Sequence, residues 1–316
     1  MSKSIAIVIP VLNEAKIIAD SLKEITGFLS SQENFEFTIF VVNDGSTDDT
    51  MKIVSGLGDD LAGTCLHSIS LSRRFGKESA ISAGLSATRK FDATIVMDSD
   101  LQHPPELISE MLKHWQQGSL VVEGVKSSRG TESQWRGLSA KLYYHLFRVL
   151  TGLDISADTD FKLLDRKVVA KYCDLPESNR FFRGLIKWMG MPSKQLPFEV
   201  PDTSKESSSW RRLSLFRYAV TTISSFTSYP LQIVTLLGAI TFLLSIVFGG
   251  IALYDKLTGN AVDGFTTVIL LLLIIGSVLM FSLGLIGIYL GKIFEEVKRR
   301  PNYMLKIDSM DDRKTD

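Results

Sequence analysis

Short apolar runs alternate with longer amphipathic stretches through the first 125 residues or so of the chain. SIAIVIP, FTIFVVN, HSISLS, ATIVM and SLVVEGV read as buried strands. The segment after NEA, then DDTMKIVSGL with an Asp cap, then KESAISAGLSAT and PPELISEMLKHW, read as the helices between them. Strands alternating with helices of this length predict βαβ units, hence an α/β domain on a mostly parallel sheet.

Towards the C-terminus the pattern changes. No charged residue occurs between Arg217 and Asp255, or between Asp263 and Lys292. Each gap exceeds the roughly 20 apolar residues that cross a bilayer. The second, TTVILLLLIIGSVLMFSLGLIGIYL, is the clearer; the first is clearest from Leu231 to Leu253. Arg211, Arg212 and Arg217 precede the pair, and Lys292, Lys298, Arg299 and Arg300 follow it. The intervening YDKLTGNAVDG carries one lysine and two aspartates. The positive-inside rule then places both ends, and the large N-terminal region, in the cytosol. Ahead of the first span, Leu213, Phe216, Val220 and Ile223 share one helical face. That stretch reads either as a helix lying in the membrane surface or as an extension of the first span. The expected organisation is a cytosolic domain over 1–209, an interfacial helix over 210–228, a transmembrane hairpin over 229–292 and a cytosolic tail over 293–316.

Composition supports two solvents along one chain. The 316 residues are 45% hydrophobic with a net charge of zero, and mean hydropathy is +0.15. Zero net charge gives no reason to expect a nucleic-acid partner. Cys65 and Cys173 match no metal-ligand spacing and read as reduced core residues of a cytosolic domain. SIAIVIP, stopped by Pro10 and followed by Glu14, does not read as a signal peptide.

The strand ends carry the chemistry. In open α/β sheets ligands bind beyond the C-terminal ends of strands. Those ends hold Asn13 and Glu14, then Asn43, Asp44 and Gly45, then Arg73 to Lys77, then Asp98 to Asp100, then Lys126 to Arg129. Clustered acids and bases on one rim suit a polar, anionic ligand. Neither GxGxxG after the first strand nor GxxxxGK[ST] is present, so dinucleotide and P-loop readings lose support.

In order and spacing, VIPVLNEA, VVNDGSTDDT, SRRFGKESAISAG and DSDLQHPPE resemble the inverting nucleotide-sugar transferases of the type A glycosyltransferase fold. With the two spans and the closing YLGKIFEEVKRRP, the chain is similar to the membrane-anchored polyisoprenyl-phosphate glycosyltransferases. These include the bactoprenol glucosyltransferases and relatives of dolichol-phosphate mannose synthase. The resemblance runs from about Ile5 to Pro301 and implies a Rossmann-like sheet. It also implies transfer of a sugar from a nucleotide-sugar donor to a polyprenyl phosphate at the membrane of a bacterial cell. By it, Pro10 and Glu14 lie beside the nucleoside, Asp44 recognises the base and Lys77 lies near the nucleotide. Asp98 and Asp100 form the D-x-D that binds Mg²⁺ or Mn²⁺, and Asp160 is the acid near the reacting centre. Arg180 and Arg183 lie near the acceptor phosphate. Glucose is the first sugar implied, with N-acetylglucosamine, mannose and an aminoarabinose open; UDP is favoured over GDP.

The chemistry agrees with that reading. A leaving nucleoside diphosphate gains negative charge, which a divalent cation on hard oxygen ligands neutralises. An acceptor phosphate, with a second pKa near about 6, is already largely ionised. A strong general base is therefore not required, and Asp160 is expected to position the acceptor or the metal.

Two departures from the family pattern stand out. Thr159 replaces the usual glycine before DFKLLDR, and PDTSKESSSWRR replaces an R-x-x-G-x-S-K-W loop. Lys205 or Arg211 is the expected substitute there, with Arg129 a further cation for phosphate. The departures keep a second reading open, a membrane-anchored nucleotide-sugar binding protein without transferase activity. A transport component would need several copies, because two spans without intramembrane charge offer no substrate path. Gly284, Gly287 and Gly291 suit close helix contact, so a homo-oligomer is expected.

Overall fold

The structure is a computed structural model. It describes residues 2–32, 34–58, 60–61, 63–126, 147–154, 158–178, 180–199, 227, 229–258 and 264–306. The chain divides into two units: Met1–Trp210 with Pro301–Asp316, and Arg211–Arg300.

The first unit is built on an eight-stranded sheet. In chain order its elements are β1 (Lys3–Val11), α1 (Ile18–Leu29), β2 (Phe35–Asn43), α2 (Thr50–Gly56), β3 (Asp60–Leu61), β4 (Thr64–Ser70), α3 (Lys77–Ala87), β5 (Ala93–Val96), α4 (Leu107–Gln116), β6 (Val121–Lys126), β7 (Asp158–Asp165), α5 (Arg166–Asp174), α6 (Phe182–Trp188) and β8 (Ser193–Phe198). The strand order is β3-β4-β2-β1-β5-β7-β6-β8. Strands β4, β2, β1 and β5 run parallel, as do β6 and β8, whereas β7 runs antiparallel to both neighbours. The connections diverge between β1 and β5, which is the switch point where this architecture opens a crevice.

Strand β1 is buried on both faces, and this is why it reads as a continuous apolar run. Ile5, Ile7 and Ile9 pack with Ile18, Leu22 and Ile25 of α1 and with Met111 and Trp115 of α4. The opposite face meets α3 so closely that Gly84 leaves no room for a side chain against Val8 and Val42. Pro10 sits within β1. The Val8 carbonyl accepts the Met97 N–H at 3.1 Å, so even-numbered residues of β1 turn their backbone towards β5. β5 ends at Val96, so the missing proline N–H leaves no ladder bond unmade.

Strands β7 and β8 were not expected. The polar–apolar alternation of DTDFKLL is short and carries three charges, so it does not announce a strand. Yet the whole of DTDFKLL is buried, with Asp158, Asp160 and Lys162 on one face and Thr159, Phe161 and Leu163 on the other. β8 contains Pro197, tolerated because β8 is an edge strand. The pairing of β6 with β7 slips at Gly124. There the Thr159 hydroxyl donates to the Gly124 carbonyl at 2.6 Å and accepts the Phe161 N–H at 3.2 Å. The non-glycine residue at 159 therefore replaces hydrogen bonds that the bulge removes from the ladder.

One expectation is corrected. Cys65 is exposed and Cys173 only half-buried, so neither is a core residue. β4 lies next to the two-residue edge strand β3, and its Cys65 and His67 face outwards. Near the C-terminus, residues 304–306 pair with the end of β4 and the residues after it. The Ser72 N–H donates to the Met304 carbonyl and the Lys306 N–H to the Ser70 carbonyl, each at 2.8 Å, with Leu71 bridging Leu305.

The second unit holds two long helices, α7 (Tyr229–Leu257) and α8 (Phe265–Lys298). Val234–Ile251 and Ile274–Lys298 are long and apolar enough to cross a membrane. Large side chains such as Phe242, Leu243, Leu272 and Met280 are uncovered by protein. So much exposed apolar surface is stable in lipid rather than water. The expected interfacial helix lies outside the described residues, apart from Thr227.

Candidate active site

The strand ends after β1, β2 and β4 are tied into one ledge. Gly45 has φ +75°, and a Cβ there would meet the Arg74 nitrogen at 2.6 Å, so only glycine fits the NDG turn. The turn buries Asp44, whose carboxylate accepts the N–H groups of Phe75 at 2.6 Å and Gly76 at 2.9 Å. Asn13, itself at φ 58°, accepts the Thr47 N–H at 2.9 Å. The Glu14 N–H donates to the Thr50 hydroxyl at 2.8 Å. The motifs containing Pro10, Glu14, Asp44 and Lys77 thus form one connected surface, and Lys77 opens α3 at its edge.

From that edge Lys77 reaches two carboxylates, Asp98 at 2.5 Å and Asp160 at 2.7 Å. Arg183 holds Asp160 through two parallel bonds of 2.7 and 3.0 Å, and also donates to the Asp158 carbonyl at 3.2 Å. Burial alone would raise the pKa of Asp160, but the Arg183 guanidinium and Lys77 ammonium hold its carboxyl far below the usual range. Burial disfavours the Lys77 charge, but Asp98 and Asp160 outweigh it and raise the lysine above its ordinary value. Asp160 is a fixed anion buried in β7 rather than a solvated loop acid, and its ion pairs leave it little capacity to take a proton.

Asp98 and Asp100 follow β5. Asp98 is 28% exposed at its side chain. Asp100 is exposed, and one of its oxygens accepts the Gln102 N–H at 3.1 Å. His103 lies beneath the turn, stacked on Phe161 with ring centroids 4.9 Å apart. Its Nδ1 accepts the Asp98 N–H at 3.3 Å. Burial lowers the His103 pKa and keeps the imidazole neutral, as that acceptor role requires. Its position in a turn was expected; its burial was not. Among the described residues no three His, Cys, Asp or Glu side chains gather as a metal cage. The Asp98 and Asp100 carboxylates supply two hard oxygen donors at the rim, a set that fits Mg²⁺ or Mn²⁺ when substrate phosphates complete the shell.

Behind Asp160 lies a second charged layer that sequence reasoning only partly caught. Lys162 pairs with Asp158, and with Glu123 at 3.3 Å; Lys187 reaches Glu123 at 3.5 Å. Burial pushes Asp158 up, and one of its oxygens has no hydrogen-bond partner. Glu123 and Lys187 were missed because each is isolated in sequence and joins the cluster only through packing, and Glu78, although next to Lys77, was missed because its partner Phe182 lies 104 residues away. Arg180 donates to the carbonyls of Leu175 at 2.7 Å and Glu177 at 3.2 Å, and lies over the Tyr172 ring. Arg129, Lys205 and Arg211 lie outside the described residues.

Comparison with known proteins places this geometry. Residues 6–173 match glycosyl transferase family 2. The chain is 37% identical over 310 residues to the putative glycosyltransferase CsbB of Bacillus subtilis, covering 96% of this chain and 91% of that one. It is 32% identical over 304 residues to the SfII prophage-derived bactoprenol glucosyl transferase of Shigella flexneri, covering 96% and 97%. Among solved structures, mannosyl-3-phosphoglycerate synthase from Rubrobacter xylanophilus superposes with a TM-score of 0.50 at 19% identity, over 70% of this chain and 72% of that one. Glucosyl-3-phosphoglycerate synthase from Mycobacterium tuberculosis, solved with Mn²⁺ and UDP, gives a TM-score of 0.48 at 19% identity, over 75% and 79%. At 19% identity the Rubrobacter structure bears on the fold alone, a type A glycosyltransferase sheet, while the sequence matches settle membership: the chain is a glycosyltransferase and belongs to glycosyl transferase family 2.

Proposed function

We propose that this enzyme transfers glucose, with inversion, from UDP-glucose to a polyprenyl phosphate at the cytosolic face of a bacterial inner membrane. The observation that carries this reading is the chain of charges Asp98–Lys77–Asp160–Arg183. It puts a candidate cation site and a guanidinium on either side of one lysine, in a chain that also bears two helices of membrane-crossing length. The names of the Shigella relatives favour glucose and bactoprenol. The basic flanks of the helix pair favour the cytosolic side.

In this reading Pro10, Glu14 and Asp44 shape the nucleoside ledge, and Lys77 faces the diphosphate. Asp98 and Asp100 hold Mg²⁺ or Mn²⁺, which supplies charge neutralisation for the leaving nucleoside diphosphate. A phosphate oxygen of the acceptor attacks the anomeric carbon, and the bond to the diphosphate oxygen breaks. The nucleophile is already ionised, so Asp160 takes no proton; it orients Arg183 and Lys77 about the reacting centre. Arg183 contacts the acceptor phosphate, with Arg129, Arg180, Lys205 and Arg211 as the further cations around it. Gly284, Gly287 and Gly291 on α8 leave open surface for a second copy.

The test is transfer by the full-length protein in detergent with Mn²⁺ or Mg²⁺. Undecaprenyl phosphate is offered with labelled UDP- and GDP-sugars, and label entering the lipid phase is counted. Wild type is expected to move glucose from UDP-glucose, and Asp100→Ala to lose at least about 100-fold, the order expected when transition-state charge is left unscreened. Donor binding without transfer from any sugar would refute the acceptor assignment.

A further inference from the structure

Glu78, the residue after Lys77, is absorbed by none of the roles above. It lies in the first turn of α3, and its Oε2 accepts the N–H of Phe182 at 2.8 Å, 104 residues away in the chain. Phe182 is the first residue of α6, a helix of seven residues whose own N-cap, Phe181, offers no side-chain oxygen. Short helices begin with unpaired N–H groups and gain from a carboxylate at that end. The remote Glu78 supplies what the local sequence lacks. The next residue along α6 is Arg183, which grips Asp160.

We infer that Glu78 is a positioning residue for the acceptor half of the site, fixing the start of α6 and so the direction of the Arg183 guanidinium. The inference rests on the proposed assignment of Arg183 to the acceptor phosphate. Its mechanical content is specific. Lys77 reaches Asp98 while Glu78 reaches Phe182, so one dipeptide sets the spacing between the donor-side carboxylate and the acceptor-side cation. The groups facing Glu78 are Asp160 on β7, Arg183 on α6, Lys77 on α3 and Tyr172 on α5. Burial, reinforced by Asp160, pushes the Glu78 carboxyl up to about 7. This strain on its charge is tolerated where the Phe182 N–H and Arg183 need an acceptor and a counter-charge.

Full-length Glu78→Ala and Glu78→Gln test this. The Gln oxygen still accepts the Phe182 N–H; Ala offers nothing. Four quantities are read: KM for undecaprenyl phosphate, KM for the donor, thermal midpoint, and the rate at which phenylglyoxal modifies Arg183, followed by mass spectrometry. Glu78→Ala is expected to raise the acceptor KM about tenfold, the order of one lost charge-assisted hydrogen bond. The donor KM should stay within about twofold, and Glu78→Gln should restore the acceptor KM to within about threefold. Arg183 should be modified faster in Glu78→Ala only. An unchanged acceptor KM with unchanged Arg183 labelling overturns the inference. So does an equal rise in both KM values with a lower thermal midpoint that Gln does not rescue, the signature of a merely structural role. If wild type transfers nothing to undecaprenyl phosphate, the proposed function fails, and the Arg183 labelling ratio alone decides the positioning role.

Discussion

Gly84→Ala tests whether the packing of α3 on the sheet sets the catalytic cluster. The added Cβ would fall well inside van der Waals contact of Val8 Cγ1, 3.0 Å from Val8 Cγ2 and 3.2 Å from Val42 Cγ2. Val8 is fully buried and Val42 equally so, and β-branched side chains have little rotamer freedom. Relief therefore comes from moving the helix. Overpacking of this kind costs about 1–3 kcal/mol, and alanine regains about 0.5–1 kcal/mol of helix propensity over glycine. The net loss falls between about 0 and 2.5 kcal/mol, and its midpoint of about 1 kcal/mol lowers the thermal midpoint by about 2–4 °C for a unit of this size. The same movement shifts Lys77 and Glu78, whose contacts of 2.5, 2.7 and 2.8 Å have little slack. A misplacement of about 1 Å costs roughly 100-fold in rate. Gly27→Ala is the control: it is an exposed position in α1 with nothing near the added Cβ, and should stabilise by about 0.5–1 kcal/mol. Thermal unfolding and transfer rates of both full-length variants provide the assay. A Gly84→Ala protein as stable and active as wild type would refute the coupling of the α3 seat to the site.

Two further outcomes are expected. Thr159→Val leaves the Gly124 carbonyl and Phe161 N–H buried without the hydroxyl that joins them, costing about 1–3 kcal/mol; Thr159→Ser should lie near wild type by denaturant midpoint. The pH dependence of Glu78 has a definite sign. Its folded pKa of about 7 stands above the ordinary 4.5, so between those values the native state binds more protons than the unfolded state and the Glu78 contribution to stability falls as pH rises. The stability of wild type relative to Glu78→Gln should therefore decrease from pH 4.5 to 7, by no more than about 3 kcal/mol, as read from thermal midpoints across that range; an increase would refute the raised pKa.

Sequence alone determined the outer plan of this protein. Strands β1, β2 and β5 announce themselves because a parallel sheet covered on both faces demands nearly uninterrupted apolar runs. The two long helices announce themselves because lipid tolerates no charge over a length of about 20 residues. The strand-end motifs were legible because residues at those ends must share a rim, which is how Asp44, Lys77, Asp98 and Asp100 were found. Tertiary structure decided the rest. DTDFKLLD hides a central strand because its buried charges are neutralised by partners from β6, α3 and α6, and no local pattern encodes partners so distant. His103 is buried because Phe161 of β7 and Phe198 of β8 pack against its ring. Glu78 and Arg183 gain their meaning only when α3 and α6 meet over Asp160. Hydrophobic periodicity records which residues leave water; which charge then meets which is settled by the three-dimensional crossing of elements far apart in the chain.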